Sequence, residues 1–178
     1  VELVVPRSAE VDLHTGDGNI TTRGVEGSLR SDTGDGNVTA FGGRGTIRLH
    51  TGDGNITAGE LDGSLVAETG DGNIDVEGRF ETLSVETGDG NVEATCYAGS
   101  RVASPWRIRT GDGNIVLRLP EGVGADLDAT TGDGRVTLDF PVTVSGKLNP
   151  SFVRGPMNGG GPQLAIRTGD GNIRIEKR

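Results

Sequence analysis

The stretch Thr15-Gly16-Asp17-Gly18-Asn19-Ile20 is the first copy of a word that recurs along the chain. The first five copies follow one another at a spacing of 18 residues. In all, eight copies begin at Thr15, Thr33, Thr51, Thr69, Thr87, Thr110, Thr131 (with Arg135 in place of Asn) and Thr168. A fixed period of this length is typical of repeat proteins, in which each copy forms one unit of a stack.

Each repeat predicts two short strands. If the Thr is position 1, position 6 is Ile or Val in every copy, and position 15 is aliphatic in the first four full repeats. Residues two places further on are mostly small or apolar and are separated by polar neighbours, which is the pattern of strands with one buried face. The two aliphatic anchors lie half a period apart, so one coil consists of two strands joined by two corners.

The pattern therefore predicts an all-β, single-domain β-solenoid, similar to a parallel β-helix or β-roll, over residues 1–178. We expect a right-handed coil by analogy with parallel crossover connections. Coils are regular over 1–94, and longer intervals between motifs indicate insertions at about 95–104 and 120–124. Three prolines and the run Gly159-Gly160-Gly161 predict an irregular loop at about 143–163.

Glycine, Asp and Asn explain the corners. At positions 2 and 4 we expect Gly to supply positive φ, and the Asp and Asn side chains to bond to nearby backbone as Asx-turns. The opposite corner carries Gly27, Gly45 and Gly63. In the first three copies the turn-forming residues are Gly16, Gly18, Asn19, Gly34, Gly36, Asn37, Gly52, Gly54 and Asn55.

Composition excludes some functions. A net charge of −9 argues against nucleic acid and anionic membranes as partners, because affinity for both comes from Lys and Arg. No apolar run reaches the roughly 20 residues needed to cross a bilayer, so no membrane insertion is expected. The single Cys96 cannot form a disulfide within the chain.

Stacking predicts a row of carboxylates about 4.8 Å apart. Its regular part is Asp17, Asp35, Asp53, Asp71 and Asp89. In the simpler interpretation each Asp accepts hydrogen bonds from turn amides and the Thr hydroxyl, while the Asn side chains form an amide ladder, and no cofactor is bound. In the alternative the row binds Ca²⁺, a cation that prefers oxygen ligands. The geometry resembles the calcium-binding β-roll of repeat toxins, although there the Asp lies two residues before the buried aliphatic, and here three.

Catalysis has weak support in the sequence, and we predict no enzyme. The candidates are Glu68 and Glu86, which would stack as a carboxylate pair of the kind a carbohydrate-active β-helix enzyme uses. His14 and His50 share one position two coils apart, too far to act together directly. Among the few aromatic residues, Tyr97 and Phe152 are candidate partner contacts, whereas Trp106 falls at a core position.

The chain resembles a bacterial β-strand-repeat family labelled as adhesins, otherwise a domain of unknown function. The resemblance rests on repeats of the form Thr-x-x-Gly-Asp/Asn-Ile, on Leu119-Pro120-Glu121 and Asp139-Phe140-Pro141-Val142, and on the closing stretch from Gly159 to Ile173. It covers nearly the whole chain. Members commonly have Asp where this chain has Asn after the second Gly. The resemblance implies an extracytoplasmic location (periplasmic, secreted or cell surface) and provides no catalytic residues.

These observations predict a non-enzymatic structural or adhesive repeat protein that presents polar and acidic ladders. The expected partners are a surface protein or glycan, or further copies of the chain through self-association at the solenoid ends. The alternatives are a calcium-binding β-roll and a carbohydrate-active β-helix enzyme.

Overall fold

The computed structural model describes residues 4–143 and 149–178, and within these residues the chain is all β. No helix in this part of the chain is long and apolar enough to cross a membrane. The strands are β1 (Ser8–Thr15), β2 (Ile20–Arg23), β3 (Glu26–Thr33), β4 (Val38–Phe41), β5 (Arg44–Thr51), β6 (Ile56–Thr69), β7 (Ile74–Thr87), β8 (Val92–Cys96), β9 (Trp106–Thr110), β10 (Ile115–Leu119), β11 (Ala125–Thr131), β12 (Val136–Leu138), β13 (Phe152–Met157), β14 (Gln163–Thr168) and β15 (Ile173–Lys177).

The pairings divide these strands into two long faces of a β-solenoid. Face A follows the order β1-β3-β5-β6-β7-β9-β14-β11-β13, and face B the order β2-β4-β6-β7-β8-β10-β15-β12. All neighbours are parallel except β11 and β13. In two coils the strand runs through the second corner without a break, so β6 and β7 contribute to both faces, with register shifts in their pairing near Gly63.

The predicted period is present in the register. On face A, Leu29 pairs with Ile47, Ile47 with Leu65, and Leu65 with Leu83, so each coil lies directly above the one before. These aliphatic residues are buried in a thin core between the faces, together with Trp106, which is 1% exposed. The aliphatic anchors therefore form one continuous interior, as the sequence predicts.

The order of the last coils differs from the order of the chain. β14 lies between β9 and β11, and β15 lies between β10 and β12. The final motif, beginning at Thr168, is thus inserted between the motifs of Thr110 and Thr131. Repeats commonly stack in chain order, but here residues 108–115 and 166–173 are the same eight-residue sequence. Because the two segments are identical, the sequence pattern does not determine which coil stacks on which.

The end of the solenoid beyond β11 carries a cap. β13 runs antiparallel along the outer edge of β11, with Arg154 opposite Asp128. The stretch predicted to be irregular thus contains a strand, and its residues 144–148 lie outside the described residues. At the other end β1 and β2 each pair with a single strand, β3 and β4, in the described structure. The two ends are therefore unlike.

Candidate functional site

The Thr of each motif anchors the corner between the two faces. The Thr51 hydroxyl is buried, donates to the Gly36 carbonyl at 2.7 Å and accepts from the Gly54 amide at 3.2 Å. The bond from Thr to the glycine carbonyl of the adjacent coil recurs in seven copies at 2.7–2.9 Å. The predicted bond from the Thr hydroxyl to the Asp carboxylate is therefore wrong, because the backbone of the adjacent coil takes that proton.

The two glycines of the motif are required by close stacking. None of them has a positive φ, so that part of the prediction is wrong, whereas Gly27, Gly45 and Gly63 at the opposite corner have φ of 115–131°. A Cβ at Gly54 would lie 2.0 Å from the Gly36 oxygen, which is so close that the backbone of one coil would have to shift. A Cβ at Gly16, in the first coil, would meet nothing within 4 Å. Glycine is needed wherever another coil lies beneath.

The Asn residues form the predicted amide ladder. Each Asn Oδ1 accepts the backbone N–H of the Asn in the next coil at 2.8–2.9 Å, and the side-chain amide of that Asn lies 3.2–3.4 Å away. The last rung is Arg135, whose amide donates to Asn172 Oδ1 at 3.1 Å. Among the described residues Arg135 lies in the terminal coil of face B, and no further Asn follows it in the ladder. Its departure from the motif marks the end of the stack.

The Asp side chains lie along the outside of this ladder and form what we call the acidic edge. In spatial order it consists of Asp17, Asp35, Asp53, Asp71, Asp89, Asp112, Asp170 and Asp133, all exposed. Ion pairs among the described residues use other carboxylates, such as Asp62 and Asp128, and none uses this row. Its eight negative charges compare with a net charge of −9 for the whole chain, so the chain's charge imbalance lies on this edge.

The edge provides one carboxylate per coil. Within 4–143 and 149–178, no group of three or more His, Cys, Asp or Glu side chains is arranged to hold a metal ion. A cation at the edge would therefore meet carboxylates from two successive coils, in contrast with the six to eight oxygens of a closed calcium site.

The aromatic candidates have different environments. Tyr97 is half-buried, its hydroxyl donates to Glu77 Oε2 at 2.8 Å, and the Arg178 guanidinium lies 4.3 Å from the ring centre. The hydrogen bond to Glu77 raises the pKa of the Tyr97 hydroxyl. Phe152 is 43% exposed on β13, and Trp106 is core, its indole donating to the Glu81 carbonyl. Of the two aromatic side chains predicted to contact a partner, Phe152 is the more exposed.

The carboxylates considered for catalysis lie on the outer surface of face A. Glu68 and Glu86 are exposed and adjacent in register, and Glu86 lies 3.7 Å from Arg109. His14 and His50 lie on either side of Asp32 in the register, and His14 Nδ1 is 3.5 Å from its carboxylate. These groups sit on an open strand surface.

Two perturbed carboxyl groups were missed by the sequence reasoning. Asp62 accepts two bonds from the Arg79 guanidinium, at 2.9 and 2.5 Å, and these hold the pKa of Asp62 below its ordinary value. The pKa of Asp75 is raised by partial desolvation and by the carboxylates of Glu93 and Glu77. The sequence contained a signal for the raised pKa of Asp75, because Asp75 and Glu93 occupy the same position in consecutive repeats.

Comparisons with known proteins agree with this architecture. No curated protein and no solved structure gives a significant match to the chain. A family model described as Toastrack DUF4097 matches residues 6–176. The chain therefore belongs to the Toastrack DUF4097 family, a domain of unknown function.

Proposed function

We propose that this protein is a non-enzymatic structural or adhesive module that binds a partner along its acidic edge. The observation that supports the proposal is the row of eight exposed Asp side chains, unpaired in the described structure and repeated once per coil. The ladder of Asn and Thr hydrogen bonds fixes the corners that carry them, so little backbone freedom remains to be lost on binding. Preorganisation of this kind favours binding through many weak contacts.

The chemistry of the edge indicates the partner. Neighbouring carboxylates in water repel each other by on the order of 1 kcal/mol at this spacing, and a cationic surface would relieve that repulsion along the whole row. A surface protein with exposed Lys and Arg, or a glycan bearing amino groups, meets this requirement. An extracytoplasmic location follows from the resemblance to the adhesin-labelled family and is part of the proposal.

The experiment compares two triple variants of equal charge. The test variant is Asp53→Asn, Asp71→Asn and Asp89→Asn, and the control is Glu10→Gln, Glu26→Gln and Glu68→Gln, three exposed residues off the edge. Binding to poly-lysine and to a panel of surface glycans and proteins is measured at low and high salt. We expect the test variant to lose at least tenfold in affinity and the control to lose less than twofold.

Other outcomes decide against this assignment. Equal losses of affinity in both variants would show that binding depends on the overall negative charge and not on the acidic edge. Binding that appears only with millimolar calcium chloride, and disappears in the test variant, would favour the calcium-binding β-roll. Hydrolysis of any glycan that is abolished by Glu68→Gln would favour the carbohydrate-active enzyme.

A further inference from the structure

The C-terminal coil, β14 with β15, is held entirely by segments remote in the chain. The Gly169 amide donates to the Gly111 carbonyl at 2.5 Å, and the Ile173 amide to the Arg135 carbonyl at 2.9 Å. The Thr168 hydroxyl donates to the Gly113 carbonyl at 2.7 Å. Every one of these bonds would be the same if the coil came from a second copy of the chain.

A short crossing connects this coil to the rest of the molecule. Residues 158–162 lead from β13, on the outer edge of β11, to β14, on its inner edge. Asn158 has a φ of 49°, and Gly159, Gly160 and Gly161 have φ of 92°, 82° and 156°. Four consecutive residues with positive φ are needed for the crossing, and this conformation strains most residues other than glycine. Short, constrained hinges of this kind favour exchange of an element between copies.

We propose that two copies of this chain form a dimer by exchanging residues 163–178. In the dimer β13 stays on its own β11, while β14 and β15 of each copy fill the slot between β9/β10 and β11/β12 of the other. The five-residue crossing opens into an extended link, which spans roughly 16 Å. The contacts within the slot are unchanged. The balance therefore sets the strain released at the hinge against the entropy of association and against the hydrogen bonds that the closed crossing makes to Val123 and Asp126. This inference is independent of the acidic edge.

Cross-linking distinguishes exchange from ordinary association. Val116 and Arg174 are register partners on β10 and β15, so Val116→Cys with Arg174→Cys places two thiols on adjacent strands. A short bis-maleimide joins them within one chain in the monomer and between two chains in the exchanged dimer. Thr39→Cys with Thr57→Cys is the matched control, since β4 and β6 remain in one chain in both states. The native Cys96 is buried, with a pKa raised to about 12, and does not compete.

Two glycines of nearly equal φ provide a matched pair of hinge variants. Gly159 (φ 92°) lies in the crossing and Gly122 (φ 86°) lies between β10 and β11, and a Cβ at either would meet nothing within 4 Å. Gly159→Ala strains the crossing and is relieved in the dimer. Gly122→Ala carries the same strain in both states.

The full chain is refolded over a wide range of concentrations and analysed by light scattering and denaturing gels. We expect a dimer that increases with concentration, interchain products from the 116/174 pair alone, and a dimerisation constant about tenfold or more higher for Gly159→Ala than for Gly122→Ala. Solely intrachain products from the 116/174 pair at every concentration would overturn the proposal. A dimer equally favoured by both glycine variants would also overturn it, because the hinge would then have no part in it.

Discussion

At the scale of single residues, stacking distance decides which amino acids the motif accepts. The glycine at position 4 has a carbonyl of the adjacent coil 1.9–2.1 Å from where its Cβ would be, in every copy that has a coil beneath it. The position-2 glycines have the same contact at 2.4–2.7 Å. The adjacent coil therefore restricts the residues of the motif as much as the turn conformation does. For the same reason, a glycine at one motif position is required in some coils and dispensable in others.

This difference gives a prediction that compares a motif glycine of an interior coil with one of the first coil. Gly54→Ala should lower the free energy of unfolding by about 3 kcal/mol or more, because the added methyl group meets backbone that cannot move without separating two coils. Gly16→Ala should change stability by about 0.5 kcal/mol or less, since its methyl group faces open space. Denaturant unfolding of both variants provides the measurement. Equal effects would show that the turn conformation, and not stacking, requires the glycine.

A buried hydroxyl provides a second contrast. Ser31 is fully buried among inward-facing residues of face A, and its Oγ has no hydrogen-bond partner. Ser31→Ala should therefore raise the free energy of unfolding by about 1 kcal/mol, because a desolvated polar group is removed. The buried Thr33, two residues further, donates to the Gly18 carbonyl at 2.9 Å, and Thr33→Val should lower stability by about 1–2 kcal/mol. A loss of stability in Ser31→Ala would mean that packing of the oxygen outweighs its desolvation.

At the scale of strands, stacking identical repeats places like charges side by side. Asp75 on β7 faces Glu93 on β8 in the register, where the preceding coils carry Thr39 and Thr57. Arg118 on the next strand pairs with Glu93 and with Glu176. On face B the carboxylate of Glu93 is thus paired with Arg118, whereas the neighbouring Asp75 has a raised pKa.

The raised pKa of Asp75 has a defined pH dependence. The protonated form is favoured in the folded state, so this group supports folding below about pH 4 and opposes it as pH rises through the folded-state pKa. Asp75→Asn should raise Tm by about 1–2 °C at pH 7 and have little effect near pH 3.5. Asp139→Asn, at an exposed residue, is the control. A gain that persists unchanged at low pH would contradict an electrostatic origin.

At the scale of the molecule, the sequence predicts the column but not the order of its coils. The spacing of Ile20, Leu29 and Val38 gives the period, the two faces and the buried interior. The insertion of the final coil depends on contacts between segments with the same eight residues, and no local pattern distinguishes them. Arg135 carries the one usable signal, because an interior coil needs an Asn side-chain oxygen there and a terminal coil does not.

The inserted coil should make the C-terminal residues among the most protected in the chain. Chain ends commonly exchange their amide protons quickly, since they open without disturbing the rest. Here β14 and β15 each have strands on both sides, and the Ile173 amide is bonded to Arg135. We expect peptides covering 163–177 to exchange as slowly as those covering 106–119, and peptides covering 8–23 to exchange faster because β1 and β2 each pair with one strand in the described structure. Hydrogen exchange followed by mass spectrometry measures all three regions in one experiment. Rapid exchange at 163–177 with slow exchange at 106–119 would mean that the chain stacks in sequence order and that its last coil forms an ordinary frayed end.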